Sequence, residues 1–251
     1  MTQILQDRLP DDAIPHPLPG TRPMAAGDWL RRDERFAEQM ALRDSLIAER
    51  RAEVIAARPD ADRPVRELLG LVCHAVGSGA AAFARPDGVT VPIDLGDPLG
   101  SIGRLCQEDF ALMLPGEDEH VMAAGVICFP SRWRLAQKIG RPLTRIHRPV
   151  AVYDADMARR VQRLFDGVRA GHPLVRWNRL PYWSDALFNP QSEPEPGAPR
   201  APEGARSFVR VERQVILRLP DTGAVVFSIH TWLVRAAVGA EPDEAARAFG
   251  G

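Results

Sequence analysis

Residues 208–219 read Phe-Val-Arg-Val-Glu-Arg-Gln-Val-Ile-Leu-Arg-Leu, and residues 224–235 read Ala-Val-Val-Phe-Ser-Ile-His-Thr-Trp-Leu-Val-Arg. Both stretches are rich in β-branched and aromatic residues, and the Pro220-Asp-Thr-Gly223 segment between them has the composition of a tight turn. The pattern predicts two long strands joined as an antiparallel hairpin. This hairpin decides the fold class, because no regular alternation of strands and helices elsewhere demands a parallel sheet.

The rest of the chain supplies shorter elements of both types. Residues 104–114 fit a helix and a strand equally well by their pattern of apolar residues. The helix after Asp154 has the clearest signals, with Asp154 as N-cap and Gly171 and Pro173 beyond its end. The predicted helices cover residues 29–57, 67–76, 131–140 and 154–170, and the predicted strands cover residues 80–84, 89–95, 121–129 and 175–182. Together they predict an α+β domain on an antiparallel sheet.

A short proline-bounded segment precedes that helix. Gly140-Arg-Pro142 interrupts the preceding helical pattern, and the motif Ile146-His-Arg-Pro-Val150 follows. Because the residue before proline is pushed out of the α region, we expect residues 146–150 to form a loop or an extended segment.

We divide the chain of 251 residues into three parts. Residues 1–25 form an N-terminal arm, which is rich in Pro and Asp and is expected to dock loosely. Residues 26–238 form one domain that includes N-terminal helices, and residues 239–251 form a C-terminal tail. Residues 189–206 are rich in Pro, Glu and Gly and are expected to form an exposed loop.

Composition excludes several classes of partner. The formal net charge of −1 gives no overall field that would attract nucleic acid or an anionic membrane surface. No apolar run approaches the roughly 20 residues that span a bilayer, and the first residues lack the order of a signal peptide. We therefore expect a cytoplasmic protein that binds neither nucleic acid nor membrane.

The cysteines and glycines limit which cofactors this chain could hold. Cys73, Cys106 and Cys128 stand far apart, which argues against a zinc or iron–sulfur site. The sequence contains neither a Gly-x-Gly-x-x-Gly nor a Gly-Lys-Ser/Thr motif for a nucleotide. Any flavin or iron–sulfur chemistry must therefore come from another chain.

Histidine supplies the candidate metal ligands. The six histidines show none of the spacings of a multi-histidine site, so a cofactor that needs one protein nitrogen, as heme does, fits better. His147 is our first candidate, because Pro149 and the following helix hold its backbone in place. His230, inside a predicted strand, is the alternative.

Three charged residues of the strand at 208–219 are further candidates. The alternation places Arg213 on an otherwise apolar face, where an anionic group such as a heme propionate or a buried carboxylate would balance its charge. Arg210 and Glu212 lie on the opposite face, and Glu212 could balance a cation. Snorkelling of Arg213 to the sheet edge and cross-strand pairing of Glu212 are the structural alternatives.

Six short motifs occur in a fixed order and give the chain a family resemblance. They are Phe129-Pro-Ser-Arg-Trp133, Ile146-His-Arg-Pro-Val150, Arg176-Trp-Asn178, Arg210-Val-Glu-Arg-Gln214, Arg218-Leu-Pro220 and Val226-Phe-Ser-Ile229. From about residue 25 to about residue 236 the sequence resembles the heme-dependent oxidative N-demethylase α-subunit-like family. Val150-Ala151 stands where many relatives have a second proline, so the chain resembles a divergent member.

The resemblance implies a PAS-like antiparallel sheet with a heme-binding cleft and added N-terminal helices. It implies heme b held by His147, with Arg213 and Arg210 as propionate contacts and Glu212 as an amine-binding catalytic group. It also implies oxidative demethylation of a small secondary amine, such as dimethylamine, with oxygen and release of formaldehyde. In the family's complex, electrons from NADPH pass through partner subunits that carry flavin and a 2Fe–2S cluster, and tetrahydrofolate on another subunit takes the one-carbon unit.

Two alternatives of different classes remain at this point. PAS domains also serve as sensors, so the chain could be a heme-binding or gas-binding sensor or carrier without turnover. It could also be a protein without heme, which a missing Soret band would identify.

Overall fold

The computed structural model describes residues 3–16, 19–79, 81–150, 153–193 and 207–236. The tail predicted at residues 239–251 and most of the loop predicted at residues 189–206 lie outside this part of the chain. No helix among the described residues has both the length and the apolar character needed to cross a membrane.

Helices and strands alternate irregularly along the chain, as expected for the α+β class. The helices are α1 (Phe36–Glu49), α2 (Arg51–Val54), α3 (Asp62–Val76), α4 (Pro98–Gly103), α5 (Leu135–Lys138), α6 (Leu143–His147) and α7 (Ala155–Gly167). The strands are β1 (Arg22–Pro23), β2 (Ile55–Ala57), β3 (Ala82–Ala84), β4 (Thr90–Pro92), β5 (Asp109–Pro115), β6 (His120–Val126), β7 (Leu174–Tyr182), β8 (Phe208–Arg218) and β9 (Val225–Arg235). Two short 3-10 helices cover Ala26–Asp28 and Pro59–Ala61.

An antiparallel sheet of seven strands organises the molecule. Its spatial order is β1-β7-β8-β9-β5-β6-β2, and β3 pairs with β4 as a separate hairpin. The long hairpin predicted at the end of the chain is confirmed, with β8 and β9 paired from Phe208–Arg235 to Arg218–Val225. Every strand pairing in the seven-stranded sheet is antiparallel, so the α+β class with an antiparallel sheet is confirmed.

The two faces of the sheet carry separate apolar cores. On one face Phe110, Leu112 and Val215 pack in a cluster with Leu68 and other residues of α3 and α4. On the other face Ala111, Met113 and Ile216 pack with residues of α5, α6 and α7, among them Leu135, Leu143 and Phe165. Strand residues alternate between faces, which explains why neighbours such as Phe110 and Ala111 belong to different cores.

The described part of the N-terminal arm is attached to the sheet. The Gln6 side chain is buried and accepts a hydrogen bond from Leu233 N at 2.8 Å, while Gln6 N donates to Leu233 O at 2.9 Å. Arg22 and Pro23 pair with Val175 and Leu174. Loose docking is therefore wrong for these residues, because they complete the hydrogen bonds of the edge strand β7 and the end of β9. The boundary at residue 25 stays a prediction.

The segment around His147 differs from the expectation. Residues Leu143–His147 form the short helix α6, not a loop or an extended segment, and Arg148 follows with φ −49° and ψ −35°. The restriction imposed by Pro149 applies to Arg148 alone, and even there it is a preference that other contacts override. Two contacts favour the helix: Leu143 is buried in the core of α5–α7, and the Lys138 ammonium donates to Ile146 O.

Other local predictions had mixed outcomes. Residues 104–114, left open between helix and strand, contribute most of β5. The predicted N-cap Asp154 is confirmed, because its Oδ1 accepts from Met157 N at 2.8 Å. α7 ends at Gly167, earlier than Gly171 suggested, since Val168 is already extended with ψ 133°.

Candidate functional site

His147 lies at the end of α6, in the helical layer that covers one face of the sheet. Its Nδ1 is 2.9 Å from the carbonyl oxygen of Leu143. A carbonyl only accepts hydrogen bonds, so Nδ1 carries the proton of the neutral ring and Nε2 carries the lone pair. Nε2 forms no hydrogen bond with any residue that the structure describes. The imidazole is thus oriented by its backbone and has a free acceptor nitrogen.

The surroundings of His147 keep its ring neutral. Burial lowers the pKa of His147 to about 4, and the positive charges of Lys138 and Arg176 act in the same direction against the opposing influence of Leu143 O and Glu119. At neutral pH the ring therefore keeps the Nε2 lone pair. A neutral imidazole whose other nitrogen donates to a backbone carbonyl is the usual form of a metal-binding histidine.

Tyr153 fixes the plane of the His147 ring. The two rings are stacked, with centroids 4.3 Å apart and an angle of 14° between their planes. The Tyr153 hydroxyl is buried and has no hydrogen-bond partner. Burial and the charge of Glu119 raise the pKa of Tyr153 to about 12, so the hydroxyl stays protonated. A buried hydroxyl without a partner is unusual, which marks this position as one where a bound group could accept a hydrogen bond.

The register of the sheet places a set of polar side chains on the same face as the α5–α7 layer. Leu174 pairs with Ile216, and both belong to the core beneath these helices. Two residues further along each strand, Arg176 pairs with Gln214, and after two more Asn178 pairs with Glu212. Since alternate residues share a face, these four polar side chains continue the face on which the helices pack.

Hydrogen bonds join the strand residues into one network. Arg176 Nη1 donates to Gln214 Oε1, and Gln214 Nε2 donates to Glu212 Oε2 at 3.0 Å. Arg210 Nε donates to Glu212 Oε1 at 2.9 Å, and Arg210 Nη2 donates to the carbonyl oxygen of Phe129. Both oxygens of Glu212 therefore already accept hydrogen bonds, and its charge is balanced by Arg210.

Arg176 is the incompletely paired member of this network. Its side chain is buried, its Nε has no partner, and no described carboxylate forms an ion pair with it. Burial lowers the pKa of Arg176 to about 10, although Glu212 opposes this shift. Asn178 Oδ1 is likewise buried without a partner. A buried guanidinium with a free N–H is suited to an anionic group, because leaving the charge unpaired is costly.

Arg213 lies on the other face of the sheet. Its register partners are Trp177 and His230, and its Nη2 and Nη1 donate to Asp28 O at 2.6 Å and Trp29 O at 3.2 Å. The register thus places Arg210 and Glu212 on the strand face of Gln214 and Ile216, whereas Arg213 lies on the opposite face. Arg210 itself contacts the carbonyl oxygens of Phe129 and Leu187.

His230 has no nitrogen available for a metal. It is fully buried, with Nδ1 3.0 Å from Glu108 Oε1 and Nε2 3.1 Å from Asp33 Oδ2. Burial alone would lower the pKa of His230, but the two carboxylates outweigh it and raise the pKa. Both ring nitrogens of the charged form donate hydrogen bonds, so His230 is held as a cation inside a polar network.

Sequence reasoning missed Tyr153 and Arg176. Arg176 belongs to the family motif Arg176-Trp-Asn178. The available indication of its role was that an arginine shares a strand face with apolar residues. No sequence pattern indicated that Tyr153 contacts His147, because its position over that ring depends on how the chain turns between α6 and α7. Among the described residues no group of three or more His, Cys, Asp or Glu side chains could hold a metal ion.

A family model described as haem-dependent oxidative N-demethylase, alpha subunit-like, matches residues 20–248. The match covers most of the chain, including α6, the strands β7–β9 and all six of the ordered motifs.

Proposed function

We propose, because this chain belongs to the haem-dependent oxidative N-demethylase, alpha subunit-like family, that it binds heme b through His147 and demethylates a small secondary amine. The observation that carries this proposal is the neutral His147 ring, with Nδ1 bonded to Leu143 O and Nε2 free, and with the incompletely paired Arg176 of β7 close enough for its charge to lower the pKa of His147. A single axial histidine is sufficient to hold heme iron. These residues fit the group that the family name implies.

A PAS-like fold is part of the proposal. The five central strands have the spatial order β6-β5-β9-β8-β7, and α5–α7 lie between β6 and β7 along the chain. Counted along the chain, this is the order two, one, five, four, three that PAS domains have, with helices inserted between the second and third strands. We propose that residues 26–238 form this domain and that residues of its α5–α7 side would hold the heme.

The residues of the chain would have three roles. His147 would hold the heme iron, with Leu143 O and the Tyr153 ring fixing the orientation of the imidazole. Arg176 would bind a propionate through its free Nε, and Arg210 would support it from the same face. Arg213, which the sequence suggested as a second propionate contact, lies across the sheet from His147 and is better explained as a donor to Asp28 O and Trp29 O.

The proposed reaction consumes a dimethylamine-like amine, oxygen, two electrons and two protons, and yields the primary amine, formaldehyde and water. When bound, heme supplies the oxygen chemistry, and the protein supplies orientation and local polarity. Glu212 is the proposed amine-binding group. For it to hold an ammonium group, Gln214 or Arg210 would have to release one carboxylate oxygen.

The satisfied carboxylate of Glu212 favours a second candidate function. In its present hydrogen bonds Glu212 offers no free oxygen to an amine, and this state suits a PAS-like protein that binds heme and a gas without turnover. Reversible binding of oxygen or carbon monoxide, with no amine-dependent formaldehyde, would select this candidate.

Absorbance spectra test the proposal directly. We expect heme-loaded wild-type protein to show a Soret band of a histidine-ligated heme, and His147→Ala to lose it or to lose the bound heme. His230→Gln is the matched control, because His230 is a fully buried histidine whose two nitrogens are both occupied. A normal spectrum for His147→Ala would overturn the ligand assignment. With a surrogate reductase, oxygen and secondary amines, the absence of amine-dependent formaldehyde would overturn the demethylase function while leaving heme binding intact.

A further inference from the structure

The helical layer α5–α7 carries a strong excess of positive charge. Between residues 132 and 169 the chain holds ten arginines and lysines but three acidic residues, although its formal net charge is −1. The rest of the chain is therefore acidic in sum, and the positive charge is concentrated on the layer that contains His147.

Much of this charge is exposed and unpaired. Six arginines of the layer are exposed and form no ion pair with any residue in the described part of the chain. We call them the arginine surface; its members are Arg134, Arg141, Arg148, Arg160, Arg163 and Arg169. The exposed arginines near α1–α3 are mostly paired with neighbouring carboxylates, as in Arg50–Glu53 and Arg58–Asp60. The excess is thus concentrated on α5–α7 and the segments that flank them.

The arginine surface lies next to the proposed iron ligand. His147 is the last residue of α6, and Arg148 directly follows it. Along α7, Val161 and Phe165 face the core, whereas Arg160 and Arg163 are exposed. Because α6 and α7 are in contact, these arginines are exposed on the helical layer that contains His147.

The proposed reaction needs electrons that this chain has no means to collect. The sequence lacks a glycine-rich nucleotide loop, and its three cysteines, at positions 73, 106 and 128, are too dispersed to hold an iron–sulfur cluster. The electrons must therefore arrive from another protein. Because electron transfer slows steeply with distance, that protein must dock where the surface is closest to the heme.

We propose, on the basis of the proposed function, that the arginine surface is the docking site of an electron-donor protein with an acidic face. Complementary charge accelerates encounter and orients the partner, and this effect weakens as salt screens it. A donor docked on α5–α7 would approach the heme from the side of His147.

The first measurement is direct binding, which does not need heme. The probe is a plant-type [2Fe–2S] ferredoxin with an acidic surface, and basic cytochrome c serves as a charge-reversed control probe. We expect ferredoxin to bind wild-type protein at low ionic strength, and Arg160→Glu/Arg163→Glu to weaken binding about tenfold or more. Arg8→Glu/Arg63→Glu makes the same change in net charge at exposed positions away from α5–α7, and we expect it to change binding less than about twofold.

The second measurement is heme reduction by the reduced ferredoxin under carbon monoxide. We expect its rate constant to fall steeply with added salt for the wild type and to be low for Arg160→Glu/Arg163→Glu at any salt concentration. Reduction by dithionite should be the same for all variants, because neither substituted arginine belongs to the heme site.

The outcomes separate the docking proposal from the proposed function. Equal weakening by both double variants, cytochrome c binding as tightly as ferredoxin, or no effect of Arg160→Glu/Arg163→Glu would overturn the docking site, even if heme and demethylation are established. A change in oligomeric mass of that variant, without a change in ferredoxin binding, would instead identify a second copy of the chain as the occupant and would overturn the proposal. If the Soret band is missing but ferredoxin still binds in a charge-dependent way, the proposed function is overturned, and the arginine surface is supported as a docking site.

Discussion

At the scale of single residues, Tyr153 differs from Tyr182, the other tyrosine of the chain. The Tyr153 hydroxyl is buried without a partner, whereas the Tyr182 hydroxyl accepts a hydrogen bond from Asn189 Nδ2 at 2.7 Å. An unpaired buried hydroxyl costs free energy that a phenylalanine of the same shape does not. Tyr153→Phe also keeps the ring that stacks on His147.

We therefore predict opposite effects of the same substitution at these two positions. In the heme-free protein, Tyr153→Phe should raise the free energy of unfolding by about 1 kcal/mol, and Tyr182→Phe should lower it by about 1 kcal/mol because Asn189 loses its acceptor. Urea denaturation measures both values. A loss of stability in heme-free Tyr153→Phe would mean that the hydroxyl has a partner within the folded chain.

His147 and His230 should affect the pH dependence of stability in opposite ways. The folded protein keeps His147 neutral down to a pKa of about 4, whereas an unfolded chain protonates it near 6.5. Its contribution to stability is therefore lost as pH falls between these values. The raised pKa of His230 has the opposite effect on stability. The stabilising contribution of His230 is fully present below pH 6.5 and is lost as pH rises through its pKa in the folded protein.

Two glutamine variants test this prediction. We expect His147→Gln to reduce the loss of stability below pH 6.5, and His230→Gln to reduce the loss of stability above pH 6.5. The free energy of unfolding, measured by urea titration from about pH 4 to about pH 9, gives the slopes for each variant and the wild type. If His230→Gln keeps the wild-type slope above pH 6.5, the Asp33–His230–Glu108 network does not hold a charged ring.

At the scale of elements, the best predictions came from local patterns that tertiary contacts reinforce. The hairpin β8–β9 was predictable because its turn and its β-branched strands agree, and α7 because Asp154 caps an amphipathic stretch. α6 was not predictable, because the six residues between Pro142 and Pro149 are too few to show periodicity. Its formation depends on Leu143 packing and on Lys138, which come from contacts outside the segment.

The same limit applies to the candidate site. The sequence put forward His147, Arg210 and Glu212, but it also gave Arg213 as a propionate contact and His230 as the alternative ligand. Strand alternation already placed Arg213 opposite Arg210 and Glu212, yet only packing shows which face the α5–α7 layer covers. The choice between two histidines needed their hydrogen-bond partners, Leu143 O for one and two carboxylates for the other.

At the scale of the whole molecule, a chain of buried hydrogen bonds links the N-terminal helices to the candidate site. Arg43 of α1 donates to Asp109 Oδ1 at 2.7 Å, and Asp109 Oδ2 accepts from Phe129 N at 2.7 Å. Phe129 O then accepts from Arg210, which is paired with Glu212. Because every step is buried, loss of one member leaves its neighbours without partners in an apolar surrounding.

Arg43 is the residue of this hydrogen-bond chain whose substitution is expected to reduce stability most. Besides Asp109, its guanidinium donates to the carbonyl oxygens of Gly103, Gln107 and Glu108, and the side chain is fully buried. Arg43→Met keeps the apolar bulk but removes four hydrogen bonds and leaves the Asp109 charge without its cation. Removal of one partner from a buried pair costs about 3–5 kcal/mol, whereas an exposed pair contributes less than about 1 kcal/mol.

We therefore predict that Arg43→Met lowers the free energy of unfolding by about 3–5 kcal/mol, and that Arg58→Met, which breaks the exposed pair with Asp60, lowers it by less than about 1 kcal/mol. Urea denaturation gives both values.

Since Phe129 connects Asp109 to Arg210, the folded Arg43→Met protein should also bind heme more weakly than Arg58→Met, as measured by heme transfer to apomyoglobin. Equal heme retention in the two variants would show that the N-terminal helices stabilise the sheet without positioning the Arg210–Glu212 pair.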